Sequence, residues 1–507
     1  MPLTRQQLVA DYVSAMRDGD AALFIGAGMS RPAGYLDWKN LLRECALELG
    51  LDIDREHDLV AVAQYYLNRR NRDRARLNKI LKREFAKPGT FTQNHSIIGL
   101  LPVNTVWTTN FDQLLEKAFE RAGKNTDVKW RDPQIPMAVA GRDVTLYKMH
   151  GDIANPDEVI ISKDDYEHYA RRHELFQNQL ASDLLNKTFL FLGFSFTDPH
   201  LDYMLGHLRS LLEDSKREHF AIMRRVRLNK HNPNKSEARR AFEYESNKQA
   251  LQIEDLQRYS IHTHLIDAFD EVTEILKGLR GHYYLRNVFV SGSANQFGEF
   301  GEDRARELCI GLGERLIAEG YKLISGMGLA VGDSVIKGAV LKLYEQGHVL
   351  VDKRIALRPF PRNLPSGVDE KSFNKRYREG MIGDCGFAIF IAGTSRSNYV
   401  SAGVMEEFEI VRKLGKIPIP IGATGFAAAR MWELLERDIG EVYGGTVSLD
   451  TYRRLNDSQL SNGQLLETVF EMMGAFADRA VLGKQVSNPA LKQTRGRKER
   501  KSNHSPT

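Results

Sequence analysis

Two short stretches carry side chains able to manage a sugar and a proton. Thr108-Thr109-Asn110-Phe111-Asp112 sets a carboxamide two residues ahead of a carboxylate, and His150-Gly151-Asp152 sets an imidazole beside a glycine. Asn110 can hydrogen-bond a ribose or position a water. His150 can accept a proton, a contribution of roughly 10²–10⁴-fold to a rate. Taken singly, His150 also fits a hydrogen-bonded structural histidine, and Asn110 or Asp112 a helix cap ahead of Gln113-Leu114-Leu115. Two glycine turns accompany them, Gly26-Ala27-Gly28 and Gly193-Phe194-Ser195. Glycine permits positive φ and lets backbone N–H groups approach an anion. A third glycine is missing after Gly28, where Arg31 stands, so a tight strand–helix turn without a ligand reads equally well.

All four stretches follow short apolar runs: residues 21–25, 104–109, 145–149 and 188–192, with a fifth run at 220–223. Such runs, separated by helical patterns, predict a parallel sheet covered on both faces. In open parallel sheets ligands bind beyond the carboxyl ends of the strands, which is where these polar residues fall. Residues 224–260 are strongly charged and predict a surface excursion followed by a helix. A helical segment near 267–279 closes this unit, with a boundary expected about Gly281 and His282. A second series begins at once. Runs at 287–290, 321–324, 387–391 and 417–421 end at Ser291-Gly292-Ser293-Ala294, Ser325-Gly326-Met327-Gly328, Ala392-Gly393-Thr394-Ser395 and Gly422-Ala423-Thr424-Gly425. A helix over 303–319, striped by Leu308, Leu312, Leu316 and Ile317, lies between the first two.

At 507 residues the chain is too long for one ordinary domain, and 42% hydrophobic with 27% charged residues is a globular composition. No apolar run reaches the roughly 20 residues that cross a bilayer, and the polar amphipathic start lacks the apolar core of a signal peptide. Three distant cysteines exclude a disulfide framework and a four-cysteine zinc site. The chain reads as cytoplasmic. The net charge of +5 resides in residues 487–507, which hold six basic residues against Glu499, so the rest is formally neutral. That tail is expected to be disordered, and nucleic-acid binding is not expected of the chain.

In order and content, Gly26-Ala27-Gly28-Met29-Ser30, Thr108-Thr109-Asn110-Phe111-Asp112, His150-Gly151 and Gly193-Phe194-Ser195 resemble the motifs of the sirtuin-like family. The resemblance implies that Asn110 and His150 act on NAD+, and that Asp112 recognises the nicotinamide carboxamide. Ala27, Gly28, Ser30, Gly193 and Ser195 would line the dinucleotide. Deacylating sirtuins carry a zinc module that this chain cannot build, and where they place an arginine-ended loop it reads Gly34–Leu42. The branch implied is therefore NAD+ hydrolysis, with NAD+ as substrate and no further cofactor or metal.

The second half resembles SLOG domains, and Tyr399–Glu407 stands where their catalytic members carry P-G-G-x-G-T-x-x-E. The glutamate survives and most glycines do not, which implies a sensor pocket in place of phosphoribohydrolase activity. Its residues would be Ser291, Gly292, Gly326, Arg378, Arg396 and Glu407. Three segments are thus expected: a sirtuin-like domain at 1–283, a SLOG domain at 284–483 and a basic tail at 484–507. Both domains would be α/β and Rossmann-like. This pairing is similar to the NAD-hydrolysing effectors of bacterial Thoeris anti-phage systems. That resemblance implies a homotetramer, switched on by a cyclic ADP-ribose-type nucleotide from a TIR-domain partner protein, whose NAD+ depletion causes abortive infection. An NAD-dependent protein deacylase and a non-catalytic nucleotide-sensing scaffold are the alternatives.

Overall fold

The computed structural model describes residues 3–481, except 86, 88, 197–204, 207–216, 229–234, 348–350, 352, 362–363 and 395–399. The basic tail and Arg396 therefore lie outside the described residues. The chain divides into two compact units, Met1–Arg280 and Gly281–Thr507. The division falls inside the helix Asp270–Tyr284.

Among the described residues the first unit holds a parallel sheet of seven strands: β1 (Ala21–Ile25), β2 (Thr105–Thr108), β3 (Thr126–Lys129), β4 (Val144–Lys148), β5 (Thr188–Leu192), β6 (His219–Arg224) and β7 (Ile261–Ile266). Their order is β3-β4-β2-β1-β5-β6-β7. Every residue of β1 and β5 is buried, as expected of central strands covered on both faces. The order reverses about β1, which places the switch point of the sheet between the ends of β1 and β5. Two of these strands were not expected. β3 and β7 lie at the two ends of the order, and their burial alternates along part of each strand, so neither reads as an apolar run. The charged stretch gives the helix Lys235–Gln257.

The second unit repeats the design with, among the described residues, five parallel strands: β8 (Asn287–Ser291), β9 (Lys322–Ser325), β10 (Ile355–Leu357), β11 (Phe387–Ile391) and β12 (Ile417–Ile421), in the order β10-β9-β8-β11-β12. Its switch point falls between β8 and β11. The helix Glu302–Ala318 buries Leu308, Leu312, Leu316 and Ile317, the expected stripe. β10 was not expected; three residues at the end of the strand order carry too little pattern to see. Cys45, Cys309 and Cys385 are free and buried. Burial pushes all three thiols up to about 12, so none is a nucleophile near neutral pH. Among the described residues, no helix is long and apolar enough to cross a membrane.

Candidate active site

Register brings the two expected catalytic residues to neighbouring strand ends. Thr108 of β2 pairs with Lys148 of β4, and Asn110 and His150 each stand two residues further on. Asn110 is 8% exposed and His150 4%. The hydroxyl of Thr108 donates to Ile25 O at 2.8 Å and accepts from Asn110 N at 3.0 Å, so the turn after β2 is tied to the end of β1. The Asn110 amide Nδ2 donates to Gly26 O at 3.1 Å and to Ser30 Oγ at 3.0 Å. Both of its protons are thereby used, which fixes the amide's orientation. Its Oδ1 is buried with no hydrogen-bond partner among the described residues.

Ser30 in turn donates to Asp112 Oδ2 at 2.6 Å, and Asp112 Oδ1 accepts Leu114 N at 3.0 Å, beside the helix Leu114–Arg121. Ser30, Asn110 and Asp112, expected separately, are thus one hydrogen-bonded chain. His150 packs its ring edge-on against Tyr166, with centroids 5.6 Å apart, and its carbonyl accepts Ile160 N at 3.0 Å. Gly151 turns the chain at φ +89°, where an added Cβ would lie 2.9 Å from Glu158 O.

The glycine turns meet at the switch point. Gly26 N donates to Leu192 O and Gly28 N to Gly193 O, each at 2.9 Å. A Cβ on Gly26 would stand 2.4 Å from Gly193 O, and one on Gly193 2.7 Å from Met29 N. These glycines let two loops touch, and the Gly28 N–H is spent within the protein. Ala27 is exposed and Gly28 and Gly193 half-buried. Ser195 is exposed, and its carbonyl accepts Gln252 Nε2 at 3.1 Å.

One functional-looking residue escapes sequence reasoning. Lys148 is 0% exposed. Its ammonium donates to Asp112 O and Glu116 Oε1, each at 2.7 Å, to Phe111 O at 3.3 Å, and to Asp152 Oδ2. Burial alone would lower its pKa, but Glu116 and Asp152 outweigh burial and raise it. A lysine inside an apolar strand, four residues before Asp152, was the available signal.

The second unit has its own convergence. Ser291 Oγ donates to Glu407 Oε2 at 2.6 Å, and Arg378 approaches Glu407 through Nε at 3.4 Å and Glu406 through Nη1 at 2.7 Å. The Arg378 guanidinium lies 4.8 Å from the centre of the Phe360 ring. Burial raises the Glu407 pKa against the opposing pull of Ser291 and Arg378. A Cβ on Gly292 would stand 2.3 Å from Ile391 O, so the turns after β8 and β11 are in contact. Gly326 sits in the neighbouring turn with Phe360 against it. Met327, Ala330 and Ala392 all take left-handed φ, between 51° and 62°. Strained residues of this kind cluster at binding sites. Among the described residues, no group of His, Cys, Asp and Glu is arranged to hold a metal.

Comparison with known proteins divides the chain in the same sequence of parts. A SIR2-like domain model matches residues 104–250, and the Sir2- and TIR-associating SLOG family model matches 271–476. The NAD(+) hydrolase ThsA of Bacillus cereus (strain MSX-D12) is 37% identical over 470 residues, spanning 92% of this chain and 97% of that protein. That of Acinetobacter baumannii (strain 532279) is 37% identical over 480 residues, spanning 92% and 98%. Defense-associated sirtuin 2 of Bacillus subtilis is 25% identical over 225 residues, spanning 43% of this chain and 22% of that protein.

Proposed function

The chain belongs to the ThsA family of NAD(+) hydrolases, and from that membership we propose that it hydrolyses NAD+ to ADP-ribose and nicotinamide at the site around Asn110 and His150. The observation that carries the siting is the Asn110 side chain: its amide protons are used within the protein, and its buried oxygen has no partner among the described residues. An acceptor held in this way suits a ribose hydroxyl or an attacking water. Water adds to the anomeric carbon of the nicotinamide ribose as the glycosidic bond breaks and nicotinamide leaves. His150 accepts the proton that the water gives up. Developing positive charge on the sugar requires preorganised dipoles and not a strong nucleophile. Asp112, held through Ser30, is assigned to the nicotinamide carboxamide, and Ala27, Gly28, Gly193 and Ser195 to the dinucleotide.

The cluster around Glu407 in the second unit is proposed as the sensor. A cyclic ADP-ribose-type nucleotide, supplied by a TIR-domain partner protein, would engage Ser291, Gly292, Gly326, Arg378, Arg396 and Glu407 and activate a cytoplasmic homotetramer. NAD+ depletion during phage infection would then be abortive. Support comes from the SLOG family match and from the Ser291–Glu407–Arg378 cluster.

The test is product analysis by chromatography after incubation with NAD+, with and without cyclic ADP-ribose isomers. His150→Ala and Asn110→Ala should each abolish NAD+ loss in a folded protein. Wild-type turnover by either variant would remove that residue from the reaction.

A further inference from the structure

We propose that Lys148 is a positioning residue for the NAD+ site: one buried ammonium ties the segment carrying Asn110 and Asp112 to the segment carrying His150. The inference rests on the siting proposed above but assigns a residue that the proposal does not use. An ammonium has three protons, and Lys148 directs them at acceptors from both segments. Phe111 O and Asp112 O belong to the turn after β2, and Asp152 to the turn after β4. Glu116, in the first turn of the helix Leu114–Arg121, is the fourth acceptor.

The geometry has few substitutes. Backbone carbonyls of a turn cannot be held by a neutral apolar side chain. Phe111 O is additionally the acceptor for Ile153 N at 3.1 Å, so the same turn is gripped from two directions. Asp152 is itself oriented, its Oδ1 accepting Ala154 N at 2.7 Å and Gln113 Nε2 at 3.4 Å. The Glu116 Oε2 is buried with no partner among the described residues, and its Oε1 is ion-paired with Lys148 at 2.7 Å. Two turns that must hold a carboxamide and an imidazole against one sugar therefore share one buried charge. A displacement of about 1 Å in such a pair costs on the order of 10²-fold in rate.

The experiment uses the full chain. Lys148→Met combined with Glu116→Gln removes a cation and an anion together, and Asp152→Asn is the milder second variant, loosening only one tether. The double variant should keep a cooperative unfolding transition and a KM for NAD+ within about threefold of wild type, with kcat reduced on the order of 10²-fold. Asp152→Asn should show the same split to a smaller degree. Hydrogen exchange at the amides of residues 109–112 and 150–153 should quicken in both while β1 stays protected. Unchanged kcat and unchanged exchange in both folded variants would overturn the proposal. A wild-type chain that consumes no NAD+ either with or without cyclic ADP-ribose isomers would defeat the proposed reaction instead, and the exchange measurement would still decide whether Lys148 holds the two turns.

Discussion

Asn110 donates its side-chain amide to the hydroxyl of Ser30 across 3.0 Å, from a turn eighty positions further along the chain. Ser30 passes the interaction on to Asp112 at 2.6 Å. A hydroxyl able to accept and donate at once is what couples a carboxamide to a carboxylate here. Ser30→Ala should leave Asp112 Oδ2 without that donor and free one proton of Asn110, whose bond to Gly26 O remains. Loss of such a partner from a buried group costs about 1–3 kcal/mol, measurable by denaturant unfolding. The NAD+ hydrolysis rate should fall about 10–10²-fold. An unchanged rate would mean that Asn110 needs no orienting.

The contact between Gly193 and the turn after β1 is a backbone contact, so no rotamer can relieve a side chain placed there. Gly193→Ala combines φ +62° with a Cβ 2.7 Å from Met29 N. Gly123→Ala, at φ +72° with nothing within 4 Å, carries only the backbone strain. The control should lose about 1–2 kcal/mol, whereas Gly193→Ala should lose more and also reduce NAD+ turnover, because it separates the loops at the switch point. Equal losses in the two variants would show that the loops part without cost.

What the sequence discloses and conceals follows from range. Asn110, Asp112 and His150 are visible because polar groups at the ends of apolar runs stand out, and β1 and β5 because both faces are buried. That the strands run parallel follows from that reading, whereas the β2–β4 register that makes Asn110 and His150 neighbours is seen only in the structure. Lys148 is hidden because its run, Leu146-Tyr147-Lys148-Met149, reads as strand, and all its partners but Asp152 come from another segment. The use of Gly26, Gly28 and Gly193 in loop contact is equally invisible: a glycine needed for close approach and one needed for an anion look alike until the opposing backbone is present. β3, β7 and β10 are missed because strands at the ends of a sheet carry alternation or mere brevity in place of an apolar run.

His219 supplies a pH prediction. Burial holds its pKa down to about 3, with Arg217 and His262 adding to the effect, while an unfolded chain takes up the proton near 6.5. Its Nδ1 faces Phe189 N at 3.2 Å and serves as an acceptor in the neutral form. The folded state thus refuses a proton that the unfolded state binds. This contribution to stability is complete above about pH 6.5 and is lost progressively as pH falls toward 3, with a limiting slope of about 1.4 kcal/mol per pH unit. Denaturant midpoints measured from pH 7 to pH 4 should decline less steeply in a folded His219→Gln variant than in wild type. Parallel declines would place the acid sensitivity elsewhere.

Arg378 and Glu407 lead to the last prediction. The Arg378 side chain is 14% exposed, and its guanidinium is shared between Glu406 and Glu407 and lies over Phe360. A phosphate-bearing ligand competes well for an arginine, because the planar guanidinium fork donates to two oxygens at once. The buried Glu407 can then offer its oxygens to sugar hydroxyls beside Ser291. A ligand can shift the enzyme only through differential affinity for its active and resting states. The ratio of NAD+ hydrolysis with a cyclic ADP-ribose isomer to that without it is therefore the quantity to measure. It should exceed one in the wild type and fall to about one in Arg378→Ala and in Glu407→Gln. Arg378→Lys keeps the charge but loses the fork and should respond only at higher ligand concentration. A wild-type response retained by both Arg378→Ala and Glu407→Gln would move the sensor away from this cluster.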